Sequence, residues 1–337
     1  METSSTTLLQ VRDLSKHYPA PSGRPVAALN RVSFDLQERR TLGVVGESGC
    51  GKSTLGRTLM RLQDASGGSV RFAGIDWISP TAHPKREDRR LMQMVFQDPF
   101  SSLDPKLTVG DIVREPLDIH AGVSSRAQRQ QRALELLQTV GLASADAGKY
   151  PHEFSGGQRQ RIAIARALAL EPRLLIADEP VSALDVSIQS QILNLLMQLR
   201  QQRDMAMVFI SHDLSVVRHI SDDVAVMYFG SIVELAPAAE MFKQPAHPYT
   251  RLLLSSIPKR NRTASADVPA DALEIMGSEL PDAANPPAGC AFAARCPQVM
   301  DVCRQSAPAL VSRLLPASGA STHVACHLYA EGQAASA

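Results

Sequence analysis

The stretch Gly46-Glu47-Ser48-Gly49-Cys50-Gly51-Lys52-Ser53-Thr54 fits the phosphate-loop pattern of glycine, four free residues, glycine, lysine and serine or threonine. At average composition this pattern arises by chance in roughly one per cent of chains this long, so the context decides. Thr41-Leu42-Gly43-Val44-Val45 before it is a short apolar run suited to a buried parallel strand, and residues 53–62 after it read as a helix. Strand, loop and helix come in the order a phosphate cradle needs. Glycines let backbone N–H groups turn inward around phosphate oxygens, and the helix N-terminus adds partial positive charge. On this reading Gly46, Glu47, Ser48, Gly49, Cys50, Gly51, Lys52, Ser53 and Thr54 form a nucleotide site. Lys52 reaches the β- and γ-phosphates, and the Ser53 hydroxyl sits on Mg²⁺. A helix N-terminus can lower a thiol pKa, but within such a loop Cys50 reads as a small filler facing away from nucleotide.

With 337 residues, 44% apolar and 20% charged, the chain has ordinary globular usage and the length for a substantial core and two domains. Its 35 basic and 34 acidic residues leave a net charge of +1, so no global field draws it to nucleic acid or to an anionic membrane. Residues 1–10 combine neither a basic start nor a long apolar core, and no apolar run approaches the ~20 residues that span a bilayer. The expectation is a cytosolic protein that reaches any membrane it serves through a partner. Of the five cysteines, Cys290, Cys296, Cys303 and Cys326 gather near the C-terminus, which in a reducing compartment suggests metal before disulfides.

Short apolar or alternating pieces at residues 8–11 and 32–36 predict an antiparallel β layer leading into the phosphate-loop strand. Tyr18, between them, either stacks on a purine or packs at the layer's edge. The mixed-charge run 83–90 reads as a solvated face. Residues 91–97 form a strand-like segment ending on Gln97, ahead of the turn Asp98-Pro99. A polar residue at the C-terminal end of a parallel strand points into the crevice where open α/β sheets bind ligands. Gln97 there meets Mg²⁺ or the attacking water or, on the plainer reading, solvent alone. From residue 109 to about 148 the pattern is helical, with Ala133, Leu136, Leu137 and Val140 in helical spacing and Gly141 as the stop.

Phe154-Ser155-Gly156-Gly157-Gln158 then opens a strong helix former. Ser155 is a natural N-cap and the glycines leave backbone N–H groups unshielded, which makes either a second anion site or an ordinary capped helix. Leu174-Leu175-Ile176-Ala177-Asp178-Glu179 runs apolar residues into two carboxylates, a costly arrangement unless a cation or a proton transfer uses it. Asp178 is placed to hold Mg²⁺, and Glu179 to orient or deprotonate water for attack on a γ-phosphate. Residues 182–185 turn into a helix whose Ile188, Ile192, Leu195, Leu196 and Leu199 make a packing stripe. The buried run 206–210 ends in Ser211-His212-Asp213, which places His212 to meet the γ-phosphate.

Together, the phosphate loop, Gln97, residues 154–158, the Asp178/Glu179 pair, residues 182–185 and His212 resemble the nucleotide-binding subunits of ATP-binding-cassette transporters, in order over roughly residues 8–258. The loop alone would fit many NTPases; the Ser-Gly-Gly-Gln segment and the histidine narrow it. Phe154 stands where the family's signature most often has leucine, an apolar exchange. The resemblance implies an α/β P-loop NTPase (RecA-like) core with an antiparallel β layer and an inserted helical subdomain at about residues 98–165, inside a cassette spanning residues 6–257. It implies ATP and Mg²⁺ as ligands, a catalytic set of Glu179, His212, Gln97 and Lys52, and Mg²⁺ held through Ser53, Gln97 and Asp178. Two such subunits pack head to tail on the family's plan. Ser155, Gly156, Gly157, Gln158 and Asp185 then meet the partner's nucleotide in trans, while Tyr18 joins the nucleotide-binding set of its own loop.

Residues 244–254 look like the end of the cassette in dipeptide and oligopeptide importer ATPases, whose relatives import nickel or glutathione. After a Pro- and Ala-rich linker at 258–288, the extension 289–337 matches the same subfamily through Gly289-Cys290, Arg295-Cys296-Pro297, Cys303 and His323-Val324-Ala325-Cys326-His327. Intervals of five, six and 22 residues between these cysteines do not fit the close pairs of common zinc folds. Four thiolates can still hold a tetrahedral metal or an iron–sulfur cluster. The resemblance favours a four-iron, four-sulfur cluster, with structural zinc second and unliganded thiols third, and a bound group would staple a lobe with little core of its own.

The implied partners are a second ATPase subunit (a paralogue in preference to an identical copy), two transmembrane permeases and, indirectly, an extracytoplasmic solute-binding protein. The chain would lie peripherally on the cytoplasmic face of the inner membrane and power uptake of dipeptides or oligopeptides, or of another solute of that class. A soluble cassette acting on ribosomes or DNA usually brings a second cassette or a long coiled-coil insertion, and neither these nor a basic stripe is visible. A non-hydrolysing regulatory subunit is opposed by intact Lys52, Glu179 and His212.

Overall fold

The computed structural model describes residues 6–19, 25–82, 84–120, 124–255, 281–282, 285–315, 319 and 321–329. The apolar runs become strands β1 (Thr7–Tyr18), β2 (Val26–Gln37), β3 (Thr41–Val45), β4 (Gly67–Phe72), β5 (Ile75–Ile78), β6 (Met92–Val95), β7 (Leu174–Asp178), β8 (Ala206–Ser211), β9 (Asp223–Tyr228), β10 (Ser231–Pro237), β11 (Val311–Leu314) and β12 (Ser321–Val324). The layer expected ahead of the phosphate loop is a four-stranded sheet in the order β2-β1-β4-β5. Its second strand is longer than the pattern at 32–36 suggests, because Arg31 takes φ 52° and interrupts the alternation that pattern reading depends on.

The described residues form two compact units. One takes in those of Met1–Leu9, Asp35–Thr41 and Arg71–Ile210. In it β6, β7 and β8 run parallel, with Val95 opposite Ala177 and Asp178 opposite Ile210. Every residue of β7 and β8 is buried, which is why these strands read as unbroken apolar runs. Helices Val109–Ile119, Arg126–Thr139 and Gly156–Leu168 pack on one another, burying Ile112, Val113, Leu136, Leu137 and Ile162. Each buried aliphatic chain is worth about 1.5–3 kcal/mol. The Ser125 capping box at the start of the second helix adds about 1 kcal/mol, so packing and not capping sets this helical insertion.

The other unit takes in the described residues of Gln10–Phe34, Leu42–Val70 and Ser211–Ala337. Here β3 runs parallel to β9, with Val45 opposite Val226. β9 pairs antiparallel with β10, β10 with β12, and β12 with β11. The end of the chain therefore continues a sheet: Val324 sits opposite Glu234, and Val324, Leu315 and Phe292 are buried. Most of the linker read at 258–288 lies outside the described residues. Among the described residues no helix is long and apolar enough to cross a membrane.

Candidate nucleotide site and its C-terminal supports

β3 is buried along its whole length and delivers the chain into the loop at 46–51. Helix Lys52–Leu59 begins at once, with Gly51 as its N-cap at φ 106°. A Cβ on Gly51 would stand 2.3 Å from the Ala28 carbonyl oxygen, so both the conformation and the space demand glycine. No side chain caps this helix, which leaves its dipole to an anion. Lys52 is buried and donates from Nζ to the carbonyl oxygens of Gly46 at 2.8 Å and Glu47 at 2.9 Å. The ammonium thus lies against neutral acceptors of its own loop, which phosphate oxygens can exchange for stronger, charge-assisted bonds. Ser53 and Thr54 are half-buried on the first turn.

Cys50 is buried, its Sγ 4.0 Å from Lys52 Nζ. Burial pushes its thiol pKa up despite the pull of the lysine, so this side chain packs as a neutral thiol. The Tyr18 hydroxyl donates to Gln63 Oε1 at 2.5 Å, and Lys16 Nζ lies 5.1 Å from the ring centre. His212 is exposed directly after β8. The turn that presents it is fixed by Ser211 Oγ, which accepts the Asp213 N–H at 3.0 Å, and by Asp213 Oδ1, which caps helix Leu214–Ile220 through Ser215 N–H at 2.7 Å.

In the other unit Asp178 closes β7 as a buried carboxylate. Glu179 takes φ 45°, a left-handed conformation that costs a non-glycine residue about 1–3 kcal/mol. Its N–H is tied to the Ile210 carbonyl at 3.0 Å, and its Oε2 accepts Gln97 Nε2 at 3.1 Å. Gln97 is exposed, yet it meets a predicted catalytic residue as well as solvent. Ser155 caps helix Gly156–Leu168 in a reciprocal box, its Oγ accepting Gln158 N–H at 3.3 Å while Gln158 Oε1 accepts Ser155 N–H at 3.0 Å. Phe154 is buried in front of it. A Cβ on Gly157 would stand 2.5 Å from Ile188 Cγ2. Asp185, exposed, is the N-cap residue of helix Val186–Gln202 but makes no side-chain cap bond there.

Three contacts escape a reading of the sequence. The Glu47 carboxylate is gripped by Arg295, whose Nη1 donates to Oε2 at 2.8 Å and Nη2 to Oε1 at 2.9 Å. Burial works against the guanidinium, but its bonds to Glu47 and Tyr228 outweigh that and raise its pKa. The Tyr249 hydroxyl accepts the Glu47 backbone N–H at 2.9 Å. Behind Tyr249, His247 and Ala246 give their N–H groups to the buried Glu234 carboxylate, each at 2.8 Å. The two loop partners lie 248 and 202 residues from Glu47, and no local pattern signals either.

Cys290, Cys296, Cys303 and Cys326 face one cavity, which His247 and Phe292 also line. It holds about 10 Å³ of water-sized space, room for a single water molecule. Burial raises the thiol pKa of Cys290 and Cys296, and that of Cys326 to about 11. Among the described residues no group of three or more His, Cys, Asp and Glu side chains could hold a metal ion. The donor chemistry suits a thiophilic metal, while the geometry is not that of a formed metal centre.

Comparison with known proteins adds the following. Residues 29–182 match the family described as ABC transporter, and residues 233–303 match the oligopeptide/dipeptide transporter C-terminal region. The chain is 48% identical over 330 residues to the oligopeptide transport ATP-binding protein AppF of Bacillus subtilis, covering 96% of this chain and 98% of that one. It is 51% identical over 338 residues to the probable peptide ABC transporter ATP-binding protein y4tS of Sinorhizobium fredii, covering 98% and 92%. Among solved structures, the dimeric ATP-binding cassette MJ0796 in a post-hydrolysis state bound to ADP and Pi matches with a TM-score of 0.62 at 30% identity, over 68% of this chain and 99% of that one.

Proposed function

The chain belongs to the ATP-binding-cassette transporter family, and we propose that it is the ATP-hydrolysing subunit of an importer that takes up dipeptides or oligopeptides through separate permease subunits. One observation carries this reading: a single chain joins an uncapped phosphate-loop helix, with Lys52 held inside the loop's curve, to a C-terminal region of oligopeptide-transporter type. The proposed division is a cassette over residues 6–257 with a helical subdomain at 98–165, a linker at 258–288 and an extension at 289–337.

In the proposed mechanism Lys52 gives up its loop carbonyls for β- and γ-phosphate oxygens, and the loop N–H groups take the remaining negative charge. Ser53, Asp178 and Gln97 would hold Mg²⁺, which would supply further charge neutralisation on those phosphates. Glu179 orients or deprotonates the attacking water, with the Gln97 amide holding one of its carboxylate oxygens. His212 serves the γ-phosphate, and Tyr18 contributes to the nucleotide pocket. Ser155, Gly156, Gly157, Gln158 and Asp185 act in trans on the nucleotide of a second subunit, for which a paralogue is the preferred partner. The subunit works peripherally at the cytoplasmic face of the inner membrane, beside two permeases and, through them, a solute-binding protein.

Cys290, Cys296, Cys303 and Cys326 are the proposed ligand set of a four-iron, four-sulfur cluster, with zinc as the alternative. Their convergence on one cavity supports the assignment, and loading would require these thiols, half-buried but for the buried Cys303, to lose protons and the cavity to widen. Iron and acid-labile sulfide assayed on anaerobically purified protein decide between cluster, zinc and neither.

Glu179→Gln tests the function. We expect ATP turnover to fall at least ~100-fold, MgATP binding to persist, and a nucleotide-bound dimer to accumulate in light scattering. Undiminished turnover would remove Glu179 from its role.

A further inference from the structure

We propose that Arg295 is a positioning residue for the phosphate loop: by holding the Glu47 carboxylate, it makes the loop's affinity for a nucleotide's phosphates depend on the C-terminal extension. The proposal rests on the ATP-binding reading above. It starts from an anomaly in the loop itself. A cradle for a polyanion carries at its second position a carboxylate, a charge of the same sign as the ligand on the loop itself. Such a group weakens phosphate binding unless a cation neutralises it and turns it away.

Arg295 does both. Its fork meets both Glu47 oxygens, at 2.8 and 2.9 Å, with the arginine side chain 5% exposed and the glutamate 20%. The guanidinium lies 5.8 Å from the ring centre of Tyr228 and 5.9 Å from that of Phe292, and Nη1 also donates to the Tyr228 hydroxyl at 3.4 Å. A fork held on several sides has one geometry; a lysine there would keep the positive charge beside Glu47 without the fork. The Tyr249 hydroxyl fixes the Glu47 backbone N–H at the same time, so the residue is held at both ends.

The grip is also joined to the thiol cavity. Arg295 closes the turn Ala293–Arg295, directly before Cys296, and Phe292, Ala293 and Cys296 line that cavity. Any change that displaces these thiols moves the residue that neutralises Glu47.

A merely structural tie between extension and loop would tolerate loss of charge on either side in the same way. A charge-cancelling role would not. The test measures Kd for MgATP and MgADP, with kcat at saturating ATP, on the full chain and its Arg295→Gln, Glu47→Gln and double variants. Arg295→Gln should raise Kd for MgATP about tenfold, and for MgADP by less, with kcat within about threefold of wild type. In the Glu47→Gln background the same substitution should change Kd by less than about twofold. An equal rise in both backgrounds, or no rise in the first, overturns the proposal. Should Arg295→Gln fail to fold, Arg295→Lys decides. It keeps the charge and should bind MgATP within about threefold of wild type, and a tenfold loss in the folded lysine variant would overturn the charge argument. A wild-type chain that binds no MgATP refutes the ATP reading, whereas wild-type binding with a flat cycle refutes this inference alone.

Discussion

Two helices of this chain begin at glycine-rich turns, and they are built in opposite ways. Helix Lys52–Leu59 has no side-chain cap, starts from a glycine that only glycine can replace, and follows a loop held by Lys52, Tyr249 and Arg295. Helix Gly156–Leu168 caps itself, Ser155 and Gln158 satisfying each other's N–H groups, and it presents both side chains to solvent. The first start is prepared for an anion by its surroundings. The second satisfies its own first N–H groups and leaves Ser155 and Gln158 exposed, which suits the proposed role in trans.

Glycine replacement should separate the two most widely. Gly51→Ala forces a Cβ to 2.3 Å from a backbone oxygen at a positive φ, and backbone cannot step aside. We expect a loss of about 3–5 kcal/mol in denaturant unfolding and no measurable MgATP binding. Gly157→Ala meets only the Ile188 side chain at 2.5 Å, and that chain can repack for about 1–3 kcal/mol. The isolated Gly157→Ala subunit should bind MgATP normally and lose turnover. If it lost nucleotide binding as well, the two helix starts would not have separate tasks.

The sequence makes the local half of this comparison legible. Strand, loop and lysine follow one another within a dozen residues, and the Ser155 cap needs only the residue three places on. Gln97 and Glu179 can each be placed at a ligand-facing sheet edge because each ends a predicted strand, while their contact is seen only in the fold. What stays hidden depends on partners far along the chain. Nothing near Glu47 announces Arg295 or Tyr249, and nothing near Gly157 says that Ile188, read as part of a packing stripe, crowds it. The pairing of β12 with β10 is hidden for the same reason, since two short strands carry no mark of which edge they join. The cysteines show the limit most clearly. Their number suggested a ligand set, while the size of the cavity they line follows from packing by His247 and Phe292.

Acid should loosen the first helix start and spare the second. His247 is buried, and its Nδ1 accepts the Tyr249 N–H at 3.0 Å, which requires an unprotonated nitrogen. Burial first, and the neighbouring Arg251 charge second, lower its pKa from 6.5 to about 4, against a weaker opposing bond from Ala325. Between these values the unfolded chain binds the proton and the folded chain does not, so stability falls as pH drops through the window, by about 3 kcal/mol across it. Glu234 beside it has its carboxyl pKa raised by burial and acts in the opposite sense. Wild type is therefore compared with His247→Gln, in which Glu234 remains. The stability difference between the two should shrink from pH 7 to pH 4 in urea unfolding, and parallel curves would remove His247 from the account. The Ser155 box contains no titrating group, so the protection of its amides, referred to the intrinsic exchange rate at each pH, should stay level over the same range.

The smallest effect sharpens the comparison most. Ser155→Ala deletes one half of the capping box and should cost about 1 kcal/mol in unfolding, with MgATP affinity of the isolated subunit unchanged within about twofold. If the second helix start acts only as a cap, any residue that restores the cap restores the protein. Asp caps as well as Ser, so Ser155→Asp should recover the lost stability. It also sets a carboxylate where the proposed dimer brings a partner's triphosphate, and like charges there should keep turnover low, at least ~10-fold below wild type. Turnover that returns together with stability would reduce Ser155 to a helix cap and leave the first loop as the whole of the nucleotide site.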